Sequence, residues 1–246
     1  MLLARAFMHG LRRPTTPGSV TCALARTIPG NRPPRIGRVA EAETDEREAA
    51  PEDEDELSEL DEETLERRRR ALGEVRQFGD PVLKSKATVV TEFDAALEQE
   101  AERMIGLMQE ALGIGLAATQ LGVMRRLLVF QSGPDVEPRA VVNPEVEWVS
   151  DERIVAEEGC LSLASVVVDV ERPLHARISA VDLGGSPITL EASGLEARVL
   201  QHEIDHLDGV LILDRTEREQ RRAALRALRS GEHFDPSLLE DDEAED

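Results

Sequence analysis

Two histidines four residues apart constrain this chain more than any other feature. His202 and His206 lie in the sequence QHEIDH. On an α-helix, residues four apart project from the same face, so the two imidazoles can share one metal ion, with Glu203 beside them. Leu195 and Val199 fall on that same face, which favours a buried helix face over a solvated one. Two buried histidines need polar partners, and a metal ion supplies them.

A catalytic metal of this kind usually takes three protein ligands and leaves a position open for water. Cys160, in the sequence EGCLS, is the strongest candidate for the third ligand, because Cys22 lies in a different compositional region near the amino terminus. A thiolate suits Fe(II) or Zn(II). The alternative is an HExxH zinc endopeptidase whose third ligand is a downstream carboxylate, such as Glu217 or Glu219.

A third motif, GIGLAATQ, covers residues 113–120. Its small residues let the backbone approach a ligand closely, and Gln120 can offer an amide donor to a developing oxyanion. Taken alone, the segment also fits a simple helix stop followed by a turn. It is too short for a dinucleotide fingerprint and lacks the lysine of a phosphate loop, so nucleotide chemistry is not indicated.

Composition excludes several classes of function. The 246 residues include 50 acidic and 29 basic side chains, a formal net charge of -21, which disfavours binding to a phosphate backbone. Five Phe, one Trp and no Tyr argue against an aromatic platform for stacking bases. No run approaches the roughly 18 apolar residues that a membrane span requires, so we expect no membrane partner. Two cysteines cannot form a disulfide framework, which favours a reducing compartment.

The composition also divides the chain. Residues 1–40 contain seven arginines and no acid, and residues 41–63 contain 14 acids and one arginine. We therefore predict a disordered basic then acidic extension over residues 1–63, a catalytic domain over 64–216, and a basic helix with an acidic tail over 217–246. The basic amino terminus is an organelle transit peptide, a disordered basic tail, or an over-long start to the reading frame.

Periodicity and turn residues predict an α+β domain in which antiparallel or mixed β-sheets pack around a central HExxH helix. A first helix should cover residues 92–112 and stop at Gly113. The central helix should begin with a capping box of Ser193 and Glu196 and end at Gly209. The strands should cover residues 127–131, 141–148, 165–170, 178–183 and 210–213, and a final helix should cover residues 217–229.

The segments GIGLAATQ, EGCLS and QHEIDH, in this order, resemble those of the peptide deformylases. The likeness extends from FGDPVL at residues 78–83 to DGVL at 208–211 and covers about residues 75–215. It implies a metal-dependent hydrolase that removes the formyl group from the N-formylmethionine of newly synthesised polypeptides and releases formate. The alternatives are the zinc endopeptidase and an inactive deformylase-like interaction protein with a structural metal. For a closed site of that kind, the globular part offers no second cysteine and no further histidine beyond His175 and His233.

The resemblance also implies roles for individual residues. The metal, typically Fe(II) with Zn(II), Ni(II) or Co(II) as alternatives, would be held by Cys160, His202 and His206. Glu203 would be the general base and acid. The formyl oxygen would be bound by Gln120 and the backbone N–H of Leu161, and Gly115 would hydrogen-bond the substrate backbone. An apolar slot for the methionine would be lined by Ile114, Leu195 and Val199.

Three further expectations concern surroundings and partners. Ala164 and Ser165 stand where the family pattern has a Pro-Gly or similar turn, and an ion pair between Glu158 and Arg172 would brace the Cys160 loop. The final helix carries a basic stripe that resembles a ribosome-docking element, although a solvated charged helix is an equal alternative. We expect a monomer in the bacterial cytoplasm, with organelle import through the arginine-rich amino terminus as the alternative.

Overall fold

The computed structural model describes residues 60–237 and 239. Most of the predicted extension over residues 1–63 and the acidic tail after residue 239 lie outside the described residues. The described helices are α1 (Glu62–Leu72), α2 (Ala95–Glu110), α3 (Leu195–Leu207) and α4 (Arg218–Ser230). None of the helices in this described part is both long and apolar enough to cross a lipid bilayer.

The strands form two antiparallel sheets. The larger has the order β1-β2-β3-β6-β7, and the smaller is the hairpin β4–β5. The strands are β1 (Gly115–Ala117), β2 (Leu127–Phe130), β3 (Arg139–Val149), β4 (Arg153–Gly159), β5 (Val167–Pro173), β6 (His175–Val181) and β7 (Pro187–Ser193). The predicted α+β class is confirmed, and the strand pairs within both sheets are antiparallel.

Helix α3 lies between the two sheets. Its residues from Ala197 to Leu207 are all buried. On one side, Leu200 and Ile204 pack in a hydrophobic cluster with Phe130 and Ile178 of the larger sheet. On the other side, the helix faces the β4–β5 hairpin. The HExxH helix is therefore central, as predicted, and both of its faces are shielded from water.

The helix predicted over residues 92–112 is present as α2, and one side of it is apolar and buried. Leu97, Ala101, Met104 and Met108 are buried along it, and Asp94 caps its first turn by accepting a hydrogen bond from the Leu97 backbone N–H. The helix is shorter than predicted at both ends. It stops at Glu110, before the left-handed residue Leu112, whose φ is 59°.

The predicted capping box of Ser193 and Glu196 is wrong. Strand β7 continues to Ser193, which pairs with His175, and the Ser193 Oγ lies 2.8 Å from the His175 Nδ1. The chain turns at Gly194, with φ 58°, and Gly194 is the N-cap without a side-chain hydrogen bond. The local sequence pattern predicts Ser193 as a helix cap, but its pairing with His175 keeps it in strand β7.

The predicted strand over residues 210–213 is also wrong. After Gly209, with φ 73°, the chain forms a 3-10 turn over Ile212–Asp214, and the Leu211 N–H donates to the Asp214 carboxylate at 2.8 Å. Leu211, Ile212 and Leu213 are all buried with helix α4. A short, continuous apolar run does not distinguish a strand from a buried turn.

Helix α1 is not predicted from the sequence. Asp61 caps it by accepting a hydrogen bond from the Thr64 backbone N–H at 2.7 Å. Its first turn is acidic and its last turn basic, the arrangement that compensates the helix dipole. Ala71 is buried in the same cluster as α2, with Leu72 packed beside it. The helix begins at Glu62, so it overlaps the end of the predicted extension by two residues.

Candidate metal centre

Three potential metal ligands converge at the centre of the molecule. His202 and His206 lie one turn apart on α3, and Cys160 directly follows strand β4. Their ligand atoms all lie within 4.8 Å of one another, and all three side chains are buried. The Cys160 Sγ is 3.2 Å from the His206 Nε2. Helix spacing and the end of a strand thus bring together a thiol and two imidazoles.

The donor set fits a divalent transition metal. One thiolate and two imidazoles suit Fe(II) or Zn(II), and three protein ligands are typical of a catalytic rather than a structural site. Within the part of the chain that the structure describes, the cluster has no fourth ligand. The Oε2 atom of Glu203, next to the cluster, is buried and has no hydrogen-bond partner among the described residues. Such an oxygen can accept a proton or a hydrogen bond from a water molecule.

The predicted ion pair between Glu158 and Arg172 is confirmed, and it belongs to a larger network. The Glu158 carboxylate is completely buried and accepts hydrogen bonds from the Arg172 Nε at 2.5 Å and Nη2 at 2.9 Å, and from the Arg198 Nη1 at 2.8 Å. Its Oε2 atom is also 2.9 Å from the His202 Nδ1. A carboxylate on one imidazole nitrogen directs the other nitrogen towards the metal.

Neighbouring side chains stabilise the negative charge of the Glu158 carboxylate. Burial by itself would raise the pKa of the carboxyl group. The positive charge of Arg172 and the hydrogen bonds from His202 and Arg172 outweigh burial, so the pKa lies well below its ordinary value. The carboxylate therefore stays ionised while it orients the histidine.

A second carboxylate extends this network to the end of α3. Asp205 accepts a hydrogen bond from the Arg172 Nη1 at 2.9 Å and another from the Arg215 Nε at 3.0 Å. Arg198, Asp205 and Arg215 are not among the site residues predicted from the sequence. Arg198 was detectable in principle, because it lies four residues before His202 and hence on the same side of the helix. The ion pairs of Asp205 had no signal in the local sequence pattern.

Glu203 lies against the backbone of strand β1. A Cβ atom on Gly115 would be 2.3 Å from the Glu203 Oε1, so the carboxylate occupies the space that any side chain at Gly115 would fill. Burial raises the pKa of Glu203 to about 7, although the charges of His202 and Arg172 act in the opposite direction. A carboxyl group with this pKa can both take and give a proton near neutral pH.

Gln120 is fixed by its own backbone turn. Its Oε1 accepts a hydrogen bond from the Ala117 N–H at 2.9 Å, which directs the amide nitrogen towards the Ser162 Oγ at 3.2 Å and the Cys160 Sγ at 3.8 Å. Leu161, the next residue after Cys160, is also buried. The structure therefore places an amide donor close to Cys160, the residue that directly precedes Leu161.

Ile114, Leu195 and Val199 meet in one hydrophobic cluster. Val199 is buried, whereas the other two are partly exposed beside it. Their role as a methionine slot stays a prediction. Ala164 and Ser165 follow the short turn Leu161–Leu163, which is closed by hydrogen bonds from the Leu163 N–H to Cys160 and from the Val166 N–H to Leu163.

The alternative ligands lie elsewhere. Glu217 and Glu219 are exposed at the start of α4 and are not part of the cluster. His175 contacts Ser193 on the larger sheet, and His233 is exposed beyond α4. Neither the endopeptidase ligand set nor a closed structural site is assembled among the described residues.

A buried three-ligand centre with an adjacent carboxylate defines a metallohydrolase site. Comparison with known proteins gives the family. The family model for polypeptide deformylase matches residues 72–222. Peptide deformylase 1 of Corynebacterium efficiens is 45% identical over 163 residues, which cover 65% of this chain and 96% of that protein. A peptide deformylase of Thermotoga neapolitana is 46% identical over 147 residues, or 60% of this chain and 88% of that protein.

Solved structures agree. The crystal structure of the Thermotoga maritima peptide deformylase matches with a TM-score of 0.56 and 45% identity, covering 58% of this chain and 96% of that one. The Synechococcus elongatus enzyme, solved in complex with actinonin, matches with a TM-score of 0.60 and 38% identity, covering 65% and 88%. The chain belongs to the polypeptide deformylase family. It is a metal-dependent hydrolase that removes the formyl group from N-formylmethionine at the start of newly synthesised polypeptides.

Proposed function

We propose that Cys160, His202 and His206 bind one divalent ion, that this ion is Fe(II) in the native enzyme, and that deformylation occurs there. The observation that carries the proposal is the convergence of a thiol from outside the helix with the two helical imidazoles. Zn(II), Ni(II) and Co(II) are accepted by the same donor set, so they are the alternatives.

A divalent metal held by Cys160, His202 and His206 would lower the pKa of water and so make it a better nucleophile near neutral pH. Glu203 takes the proton from the attacking water and gives it to the departing amine. Two properties support this role: the pKa of about 7 and the buried Oε2 atom that has no partner among the described residues. Without the second proton transfer, the amine would be a very poor leaving group.

The formyl oxygen becomes negatively charged as its carbon turns tetrahedral. We assign the stabilisation of this charge to the Gln120 amide nitrogen and the backbone N–H of Leu161. The Gln120 amide is already oriented by the Ala117 N–H, so it needs no reorganisation during the reaction. Loss of one donor of this kind typically costs about 10²–10³ in rate.

The substrate backbone would hydrogen-bond to Gly115, and the methionine side chain would enter the slot of Ile114, Leu195 and Val199. An uncharged, aliphatic slot suits a flexible thioether. The position of Gly115 supports this arrangement, because it lies directly beside Glu203, the residue to which we assign proton transfer.

We further propose that the enzyme is a monomer in the bacterial cytoplasm and contacts the ribosome transiently through α4. Ala223, Ala224 and Ala227 of that helix are buried, and its exposed residues include Arg218, Arg221, Arg222, Arg226 and Arg229. A basic face can contact ribosomal RNA even on a chain of net charge -21. The alternative to ribosome contact is a solvated helix without a partner. The alternative to the bacterial cytoplasm is organelle import through residues 1–63. We also propose that residues 64–216 form the catalytic domain and that residues 217–246 form the basic helix and the acidic tail.

Formate release and metal content together test this proposal. Protein purified anaerobically should contain one Fe(II) and release formate from formyl-Met-Ala-Ser. Cys160→Ala should lose both the metal and the activity, whereas the matched control Glu217→Ala should keep both. If Cys160→Ala kept the metal and Glu217→Ala lost it, the ligand set would be that of the endopeptidase alternative.

A further inference from the structure

Strand β1 stands at the edge of the larger sheet. Among the described strands it pairs only with β2, through Gly115 and Phe130 at one end. The start of the strand lies beside the candidate metal centre, because Gly115 approaches Glu203 and a Cβ on Gly113, two residues before the strand, would lie 3.0 Å from the Leu161 side chain. An extended peptide can add to such an edge as a further strand. This step rests on the proposed function, which places the formyl end of the substrate at the metal.

The chain that leads into β1 comes directly from the end of α2. The Gln109 Nε2 on α2 is 3.1 Å from the Gln131 Oε1, and the Gln131 N–H donates to the Ile114 carbonyl at 2.8 Å. Leu112, between α2 and β1, has a φ of 59°, a left-handed conformation that few non-glycine residues adopt. The end of α2 and the edge of β1 are therefore joined by a sharp turn and held together.

A cleft of about 440 Å³ opens at this junction. One wall is α1, with Thr64 and Arg67. The other wall is α2 and its end, and its lining residues are Gly106, Gln109, Glu110 and Leu112. Leu112 lines the cleft and is only three residues before Gly115, and three residues span at most about 10 Å even when fully extended. The cleft therefore begins within about 10 Å of the strand edge.

Helix α1, one wall of this cleft, lies almost entirely outside the residues that match the family model. The match to the family model begins at residue 72, whereas α1 covers Glu62–Leu72. The lining offers the Arg67 guanidinium, the Gln109 amide and the Thr64 hydroxyl, which are hydrogen-bond donors for peptide carbonyls, together with the apolar Leu112. The Arg67 Nη2 already donates to the Thr64 Oγ1 at 3.1 Å, so these two groups lie side by side.

We propose that the cleft between α1 and α2 is a second peptide-binding subsite, which takes the nascent chain as an extended polypeptide from about its fourth residue onward. The residues nearest the formyl group lie on the edge of β1, and the following residues pass Leu112 into the cleft. Because a longer substrate gains binding energy in the cleft, its kcat/KM should be higher than that of a short substrate.

The holoenzyme can be compared on two substrates: formyl-Met-Ala-Ser, and a seven-residue formyl peptide with the same first three residues and four neutral residues after them. Gly106 provides the blocking variant, because a Cβ there meets no atom within 4 Å and a large side chain can be added to the cleft wall. Gly106→Phe fills the cleft, and Gly106→Ala is the matched control that leaves it open.

The wild-type enzyme and Gly106→Ala should prefer the longer peptide by about tenfold in kcat/KM. Gly106→Phe should lose that preference while it keeps its activity on the tripeptide, which also shows that it is folded. Arg67→Ala, at an exposed position on α1, should reduce the preference in part. Equal kcat/KM for both lengths in the wild type, or an unchanged preference in Gly106→Phe, would overturn the proposal. A wild type that released no formate from either peptide would overturn the proposed function itself.

Discussion

The two faces of helix α3 are equally buried but are stabilised in different ways. Leu200 and Ile204 pack against the larger sheet and need only apolar neighbours. His202, Glu203 and Asp205 are also buried, but polar groups in the interior require hydrogen-bond, ionic or metal partners. One face therefore supplies hydrophobic stability. The polar face lowers stability unless the β4–β5 hairpin and a metal ion provide partners for its buried polar groups. This face also carries the residues to which we assign catalysis.

Among substitutions that leave the metal ligands and Glu203 itself in place, Gly115→Ala should have the largest effect on the polar face. Its Cβ would lie 2.3 Å from the Glu203 Oε1, so the carboxylate must move. We expect kcat to fall by about 10²–10³, because misplacing a reacting group by about 1 Å can cost 10²-fold. Steady-state kinetics and thermal unfolding of the variant would measure both consequences. Gly106→Ala is the control, and an unchanged kcat would contradict the close approach.

On the apolar face, Leu200→Ala should lower the stability of the protein and leave its kcat unchanged. Leu200 is completely buried, and a Leu→Ala change in a core costs about 2–5 kcal/mol in the free energy of unfolding. Urea denaturation of the metal-loaded protein would measure this loss. The kcat of the folded fraction should stay at the wild-type value. A large loss of kcat in the folded protein would mean that the two faces are not separate in function.

The smallest effect is expected from Asp205→Asn, which acts on the metal site through Arg172 and Glu158. The substitution keeps the size of the side chain but removes the charge that faces Arg172 and Arg215. Because Asp205 contacts no candidate ligand directly, we expect metal affinity to fall by about tenfold, the low end for residues that support metal ligands. Metal competition with a chelator would measure it. A loss as large as that of Cys160→Ala would contradict an indirect role.

The two faces also differ in how well the sequence predicts them. The stripe of α2 and the pair His202 and His206 follow from helical spacing alone, so local periodicity was enough. Cys160 was a strong candidate because the globular part has no other cysteine. The roles of Arg198 and Arg215 depend on which carboxylates the folded β4–β5 hairpin and helix α3 bring near them. Such contacts between distant segments leave no periodic pattern.

Errors at the helix boundaries have the same origin. Ser193 has the right residue type for a cap, but its pairing with His175 keeps it in strand β7. Helix α1 is rich in charged residues and has a weak apolar stripe, so its sequence resembles the acidic extension before it. Its stability comes from Ala71 and Leu72, which pack beside α2. Tertiary contacts therefore determine both where strand β7 ends and whether helix α1 forms.

The most direct test of the central claim is the rate of formate release by Glu203→Gln beside the wild type, with the metal content of both proteins measured. The variant keeps the shape of the side chain and removes its ability to accept and deliver a proton. We predict an unchanged metal content and a loss of about 10²–10⁴ in kcat. A fully metal-loaded variant that deformylated formyl-Met-Ala-Ser at the wild-type rate would contradict the role assigned to Glu203.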